Sequence, residues 1–313
     1  MGHGDLSRFS SLPLSYFPCL EDGDPDAPHE AQAWRLWLDD GYSSEETFED
    51  YFVRFVETVD TGRVRELVFG SWGTPFEDSA DEPIDLLTQA ADRFPNLRLI
   101  ALGDISSDEA EISWIQQGDL TPLLGAFPRL EVLEVRGGTG LGLRPVGHDS
   151  LRVLRVESGG LSGAVVRAVG ASDFPSLEHL ELWLGVSDYG GDATVADLAP
   201  ILSGERLPAL RHLGLQDSEI QDEIAAAVAS APVVARLESL ALSMGALGDE
   251  GVEALLSGQP LTHLRRLDLT HHFVGPPMVK RLAAALRHVK LIMGEAEARY
   301  EWAPEGRYVA VGE

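Results

Sequence analysis

The amino-acid sequence predicts an α/β solenoid. Short parallel strands would line a concave face, helices would lie on the convex side, and a cap would close each end. Three observations predict it. The pattern apolar-x-x-apolar-x-apolar occurs nine times along the chain. Stretches with helical spacing separate the occurrences. A Phe-Pro pair stands at the same place in three units, "FPNLRLIAL" (94–102), "FPRLEVLEV" (127–135) and "FPSLEHLEL" (174–182), and a Leu-Pro in a fourth, "LPALRHLGL" (207–215). Self-similarity at a period of 20 to 50 residues marks stacked repeats.

The nine matches are "VRELVF" (64–69), "LRLIAL" (97–102), "LEVLEV" (130–135), "LRVLRV" (151–156), "LEHLEL" (177–182), "LRHLGL" (210–215), "LESLAL" (237–242), "LRRLDL" (264–269) and "LRHVKL" (286–291). Their starts are 21 to 33 residues apart, near 28 on average. The closing apolar-x-apolar alternates with period two, so each match predicts a short strand. Val195, Leu198, Ile201 and Leu202 share one helix face, as do Ile220, Ile224 and Val228, and Val252, Leu255 and Leu256. Leu86, Leu87 and Ala90 precede one Phe-Pro, and Leu123 and Leu124 another. Proline pushes the residue before it out of the helical region, so each Phe-Pro predicts a helix stop with Phe plugging the core. One unit cannot bury its own apolar side; neighbours in register share a continuous core.

The ends differ from the array. Trp34, Trp37 and Leu38 fit one face of a first N-terminal helix. Ser43 and Glu46 stand at capping-box spacing before a second, whose apolar face is Phe48, Tyr51, Phe52 and Phe55. "ARYEW" and "RYVAV" flank "APEG" and predict a β-hairpin. The expected organisation is an acidic segment and helical cap over 1–60, an array of about nine units over 61–293, and a hairpin cap over 294–313, all one continuous structural domain. Residues 1–27 are rich in Pro, Gly and Asp, a composition that favours partial disorder.

The motif resembles that of leucine-rich-repeat proteins, and the spacing near 28 with full helices resembles their ribonuclease-inhibitor-like class. The whole chain resembles a bacterial, actinobacterial leucine-rich-repeat family of unknown function, through "ISWIQQGDLTPLL" (112–124) and "RYVAVGE" (307–313). The resemblance implies a protein-binding role without catalytic activity. The Asn or Cys that usually follows Leu-x-Leu is irregular here (Ser71, Asp104, Ser243, His271), so a regular asparagine ladder is not expected.

Composition narrows the function. There are 24 Lys and Arg against 51 Asp and Glu, a formal net charge of −27. Such a chain repels nucleic acid and anionic lipid, which recruit proteins through Lys and Arg. Lys280 and Lys290 are the only lysines, a codon-level sign of a GC-rich bacterial genome. Residues 1–60 carry 14 acidic and 3 basic side chains. Neither a secretory leader nor an apolar run of transmembrane length is evident, and the single cysteine, Cys19, allows no internal disulfide; a cytoplasmic protein is expected.

Alternation directs one set of strand side chains into the concave face. Among them are Arg136, Arg155, Glu157, His179, Glu181, Trp183, His212, Gln216, Arg266 and Asp268, the candidate partner-binding residues. A solvated sheet face accounts for most of the polar ones. Trp183 reads either as an anchor for a partner or as a residue packed against a neighbouring strand or loop. His179 and His212 occupy equivalent places in adjacent units. With Glu181 they form either a His/His/Glu metal or acid–base site or a hydrated polar ladder. His271 and His272 are adjacent and do not imply a shared ligand. "GGTGLG" (137–142) lacks the Lys-Ser/Thr of a phosphate loop, and "ESGGLSGA" (157–164) lacks Gly-x-Ser-x-Gly; both read as repeat turns. The expected function is a non-catalytic interaction scaffold for a basic protein or peptide, with no cofactor. A metal-binding protein or enzyme using His179, Glu181 and His212 is the alternative.

Overall fold

The structure, a computed structural model, describes residues 8–20, 28, 30–38, 46–300, 303 and 306–312. Among the described residues, eleven strands form one open sheet in chain order, every neighbouring pair parallel. They are β1 (Ser15–Phe17), β2 (Ala33–Leu38), β3 (Glu66–Trp72), β4 (Leu99–Leu102), β5 (Val132–Arg136), β6 (Val153–Glu157), β7 (His179–Gly185), β8 (His212–Ser218), β9 (Ser239–Ala241), β10 (Arg266–Asp268) and β11 (Lys290–Ile292). Eight α-helices of the described residues alternate with them: α1 (Phe48–Thr58), α2 (Asp81–Gln89), α3 (Thr121–Ala126), α4 (Gly163–Ala171), α5 (Val195–Ser203), α6 (Gln221–Val228), α7 (Asp249–Ser257) and α8 (Pro276–Ala285). The shortest unit of the array from β3 onward, between β5 and β6, has no helix; "GGTGLG" occupies it as a turn.

The repeated leucines stand in register. Trp34, Leu67, Ile100, Leu133, Leu154, Leu180, Leu213, Leu240, Leu267 and Leu291 pair successively from β2 to β11. All but the terminal Leu291 are buried. Each such side chain contributes about 1.5–3 kcal/mol of burial, so the ladder is the spine of the core. The final unit departs from the pattern: Leu291, not Val289, takes the ladder place, two residues later than the motif implies.

Phe94, Phe127, Phe174 and Leu207 are buried at the same point of their units. In each, the amide three residues on donates to the carbonyl of that residue: Leu97 to Phe94 at 3.2 Å, Leu130 to Phe127 at 2.9 Å, Leu177 to Phe174 at 3.2 Å and Leu210 to Leu207 at 3.2 Å. One tight turn thus stops the chain and aims it into the next strand, as Pro after a core residue requires.

The N-terminal expectation is half met. α1 buries Phe48, Tyr51, Phe52 and Phe55. Its cap is Thr47, whose hydroxyl accepts from the Asp50 amide at 3.1 Å. Glu46 instead receives Arg54 and the Leu20 amide, and Ser43 lies outside the described residues. The first expected helix is strand β2: Trp34, Leu36 and Leu38 are buried and alternate with Arg35 and Trp37. A short run such as "AWRLWL" satisfies both periods, and pairing with β3 decides it. Residues 15–17 add a further strand, so the segment expected to be partly disordered is in part built into the sheet.

At the other end no strand follows β11 among the described residues. The chain reverses where the Tyr300 amide donates to Gly306 O at 3.0 Å. The tail then runs back along the array. His271 Nε2 lies 2.9 Å from Tyr308 O, the Ala310 amide donates to Met244 O at 2.7 Å, and the Val311 amide donates to Asp217 Oδ1 at 3.0 Å. Asp217, Met244 and His271 all have positive φ, each four residues past its ladder leucine, as Gly137 is past Leu133; Gly103 and Gly185 take positive φ one residue earlier and one later in their units. The left-handed corner turns the chain out of these strands. The tail reads these corners in sequence, a long-range contact in place of the local pairing of a hairpin.

Candidate functional site

The face of the sheet away from the leucine ladder carries three rows of side chains. The first runs Val132, Val153, His179, His212, Ser239, Arg266; the second Glu134, Arg155, Glu181, Gly214, Ala241, Asp268. The third pairs Arg136 with Glu157, and Trp183 with Gln216. Period-two alternation supplies the rows and parallel register aligns them.

The centre is an ion network rather than a solvated surface. Arg155 Nε donates to Glu181 Oε1 at 2.9 Å, its Nη1 reaches Glu134 Oε2 at 3.4 Å, and its Nη2 pairs with Glu157. Arg136 Nε donates to Glu157 Oε2 at 2.6 Å. Glu134, Arg136, Arg155, Glu157 and Glu181 are all buried. Burial pushes Glu134 up to about 7, against the pull of Arg155. Burial alone would also raise Glu181, but the His179 hydrogen bond and the charge of Arg155 hold it well below the usual carboxylate range. Burial would lower Arg155; Glu157 and Glu181 overcome it and hold the guanidinium charged.

The histidines meet as their register requires. The His179 and His212 rings stack, centroids 3.9 Å apart and planes at 12°. His179 Nε2 is 3.3 Å from Glu181 Oε2 and His212 Nε2 is 3.8 Å from the same oxygen. His212 Nδ1 shares a 2.6 Å hydrogen bond with Ser239 Oγ. Burial lowers both imidazoles, His212 to about 3 with the neighbouring His179 adding to the effect. Burial thus favours the neutral form of both rings.

Trp183 is not the exposed anchor that alternation by itself suggests. It is 7 % exposed, clusters with Ile112 and Val311, and donates Nε1 to Glu181 Oε1 at 3.3 Å. Arg155 lies 5.7 Å from its ring centroid. Gln216 is buried too and donates to Ser243 Oγ at 2.7 Å. Arg266 and Asp268 lie apart from the network, on the open part of the face, paired with each other at 2.6 Å. Nearby, buried Asp217 is raised well above the usual range by burial, despite the amide of Val311.

Two distant segments cover the centre. The tail brings Val311 onto Trp183. At the other end Arg8 Nη2 lies 3.5 Å from Glu181 Oε2, and Phe9 meets the His179 ring edge-on, centroids 4.9 Å apart. Ser10 Oγ donates to Glu66, and Phe9 and Leu14 pack on Val68, Leu99 and Ala101. Sequence reasoning identified the face but not these covers, because no local period marks which remote segment folds over it.

Residues 237–256 match a family model described as a leucine-rich repeat. A solved protein from Bacteroides fragilis superposes with a TM-score of 0.80 at 27% identity, covering 94% of this chain and 83% of that one. An internalin from Listeria monocytogenes aligns over 85% of this chain and 73% of its own at 13% identity, with a TM-score of 0.39, too loose to bear on the fold. No curated protein matches in sequence. The ladder and the strand–helix alternation make the fold a leucine-rich-repeat solenoid, and one of its units matches the repeat model.

Proposed function

We propose that this leucine-rich-repeat protein is a non-catalytic interaction scaffold whose helix-free face receives an extended, basic segment of a protein partner. The observation that carries the reading is the chain's own segment 8–14. It lies on that face as a peptide would, placing an arginine on Glu181, an aromatic ring on His179, a hydroxyl on Glu66 and a leucine on an apolar patch. Aromatic and arginine side chains are the residues that anchor interfaces most often. The net charge of −27 adds long-range attraction for a basic partner, weakening as salt rises. Arg136, Arg155 and Glu157 hold the floor of this surface; His179 and Glu181 meet the segment, and His212 stacks behind His179. Arg266 and Asp268 extend the surface toward β11 for a partner longer than the segment.

The test is a labelled peptide copying residues 8–14, titrated by fluorescence anisotropy into the full chain and into an Arg8→Ser, Phe9→Ser double variant. The variant has lost two of its own competing contacts, on Glu181 and His179, and binds the peptide more tightly, with affinity falling as salt rises. Equal affinity for both proteins, or none for either, overturns the reading.

A further inference from the structure

We propose that His179, Glu181 and His212 form a binding site for one divalent transition-metal ion of the zinc class. Two nitrogens and one carboxylate oxygen from neighbouring strands face one another, all within 4.8 Å. In a tetrahedral site with bonds near 2.0–2.1 Å, ligand atoms lie about 3.3 Å apart. The Glu181 Oε2 to His179 Nε2 separation is 3.3 Å; that to His212 Nε2 is 3.8 Å and must close by about 0.5 Å. The parallel rings must also tilt toward each other, since imidazole lone pairs lie in the ring plane and stacked rings do not aim at one point.

The two oxygens of Glu181 are unlike. Oε1 is fixed by Arg155 Nε at 2.9 Å and Trp183 Nε1 at 3.3 Å. Among the described residues, Oε2 faces the two imidazoles, at 3.3 and 3.8 Å, and Arg8 at 3.5 Å. His212 Nε2 is buried and has no hydrogen-bond partner. A buried polar atom without a partner calls for an explanation, and a shared cation supplies one. The surroundings are those of an oriented ligand set: Ser239 holds the far nitrogen of His212, and Arg155 and Trp183 hold the far oxygen of Glu181. His179 and His212 also line a pocket of about 410 Å³, whose lining does not extend to Glu181. Arg8, half exposed, is the cation standing at that oxygen now, and the metal takes its place.

Cobalt(II) is the probe, because its visible absorption reports tetrahedral coordination. The full chain, stripped with chelator and titrated with Co²⁺, is expected to take up one equivalent with intense bands in the visible, displaced by Zn²⁺. His212→Gln, folded by circular dichroism, is expected to lose the bands and at least tenfold in affinity. His271→Gln, remote from the cluster, retains both. Failure of the full chain to bind a stoichiometric ion, or unchanged binding by His212→Gln, overturns the site; so does loss of the bands in His271→Gln with retention in His212→Gln.

Discussion

Arg155→Met removes the cation at the centre of the buried network while keeping length and apolar packing. Arg155 faces Glu134, Glu157 and Glu181, whose side chains are 0 %, 1 % and 4 % exposed. Glu157 keeps Arg136, and Glu181 keeps His179 and Trp183; Glu134 loses its strongest opposing charge. Breaking a buried ion pair from one side costs about 3–5 kcal/mol. Protonation sets a ceiling. A carboxyl that stays buried only by taking up a proton costs about 3.7 kcal/mol at pH 7, at 1.36 kcal/mol per unit above an unfolded value near 4.3. At pH 5 the same ceiling is about 1 kcal/mol. Glu134, already near 7, has little further to lose, so Glu181, which Arg155 helps hold down, carries most of the effect. In the variant the folded state binds more protons than the unfolded state, so its stability falls as pH rises above about 4.3. The expected loss is about 3–5 kcal/mol at pH 7 and about 1–2 kcal/mol at pH 5. Urea unfolding at both pH values, followed by far-ultraviolet circular dichroism and by tryptophan fluorescence, measures it. A loss below about 1 kcal/mol at pH 7, or one that does not shrink on acidification, refutes a network held by Arg155.

Asp217 is buried with its ionisation raised well above the usual range, so wild-type stability declines as pH rises above the unfolded value near 4. Asp217→Asn should therefore be more stable than wild type at pH 8 and no more stable at pH 4, read from thermal midpoints; a pH-independent difference contradicts this. Val311→Ala removes two methyl groups from the cover over Trp183, at about 1.6 kcal/mol, and should shift tryptophan emission to the red. An unmoved emission spectrum would place Trp183 elsewhere. Gly185 has φ 67°, and a Cβ there would collide with the Gly159 carbonyl, so Gly185→Ala should cost more than about 2 kcal/mol. Gly125, in α3 with nothing within 4 Å of an added Cβ, should gain about 0.5–1 kcal/mol as Ala; denaturant midpoints of the pair decide both.

The sequence by itself determined the repeating unit. Leucines at fixed offsets name the residues that enter the core, and Pro after Phe94, Phe127 and Phe174 names where each unit turns, because both depend on local period and backbone sterics. It also determined which side chains share the other face, and so brought His179, Glu181 and His212 together on paper. Three things needed the tertiary structure. "AWRLWL" fits a helix and a strand alike until β3 is there to pair with it. The last unit slips by two residues, because Leu291 rather than Val289 continues the ladder. Above all, the face that alternation leaves open to water is closed over Trp183 and Glu181 by Val311 and Arg8. Those contacts join residues more than a hundred positions apart, and no local pattern encodes them. Whether a charged row is a solvated surface or a buried network is decided by what covers it, because burial sets the energy of every charge in the row.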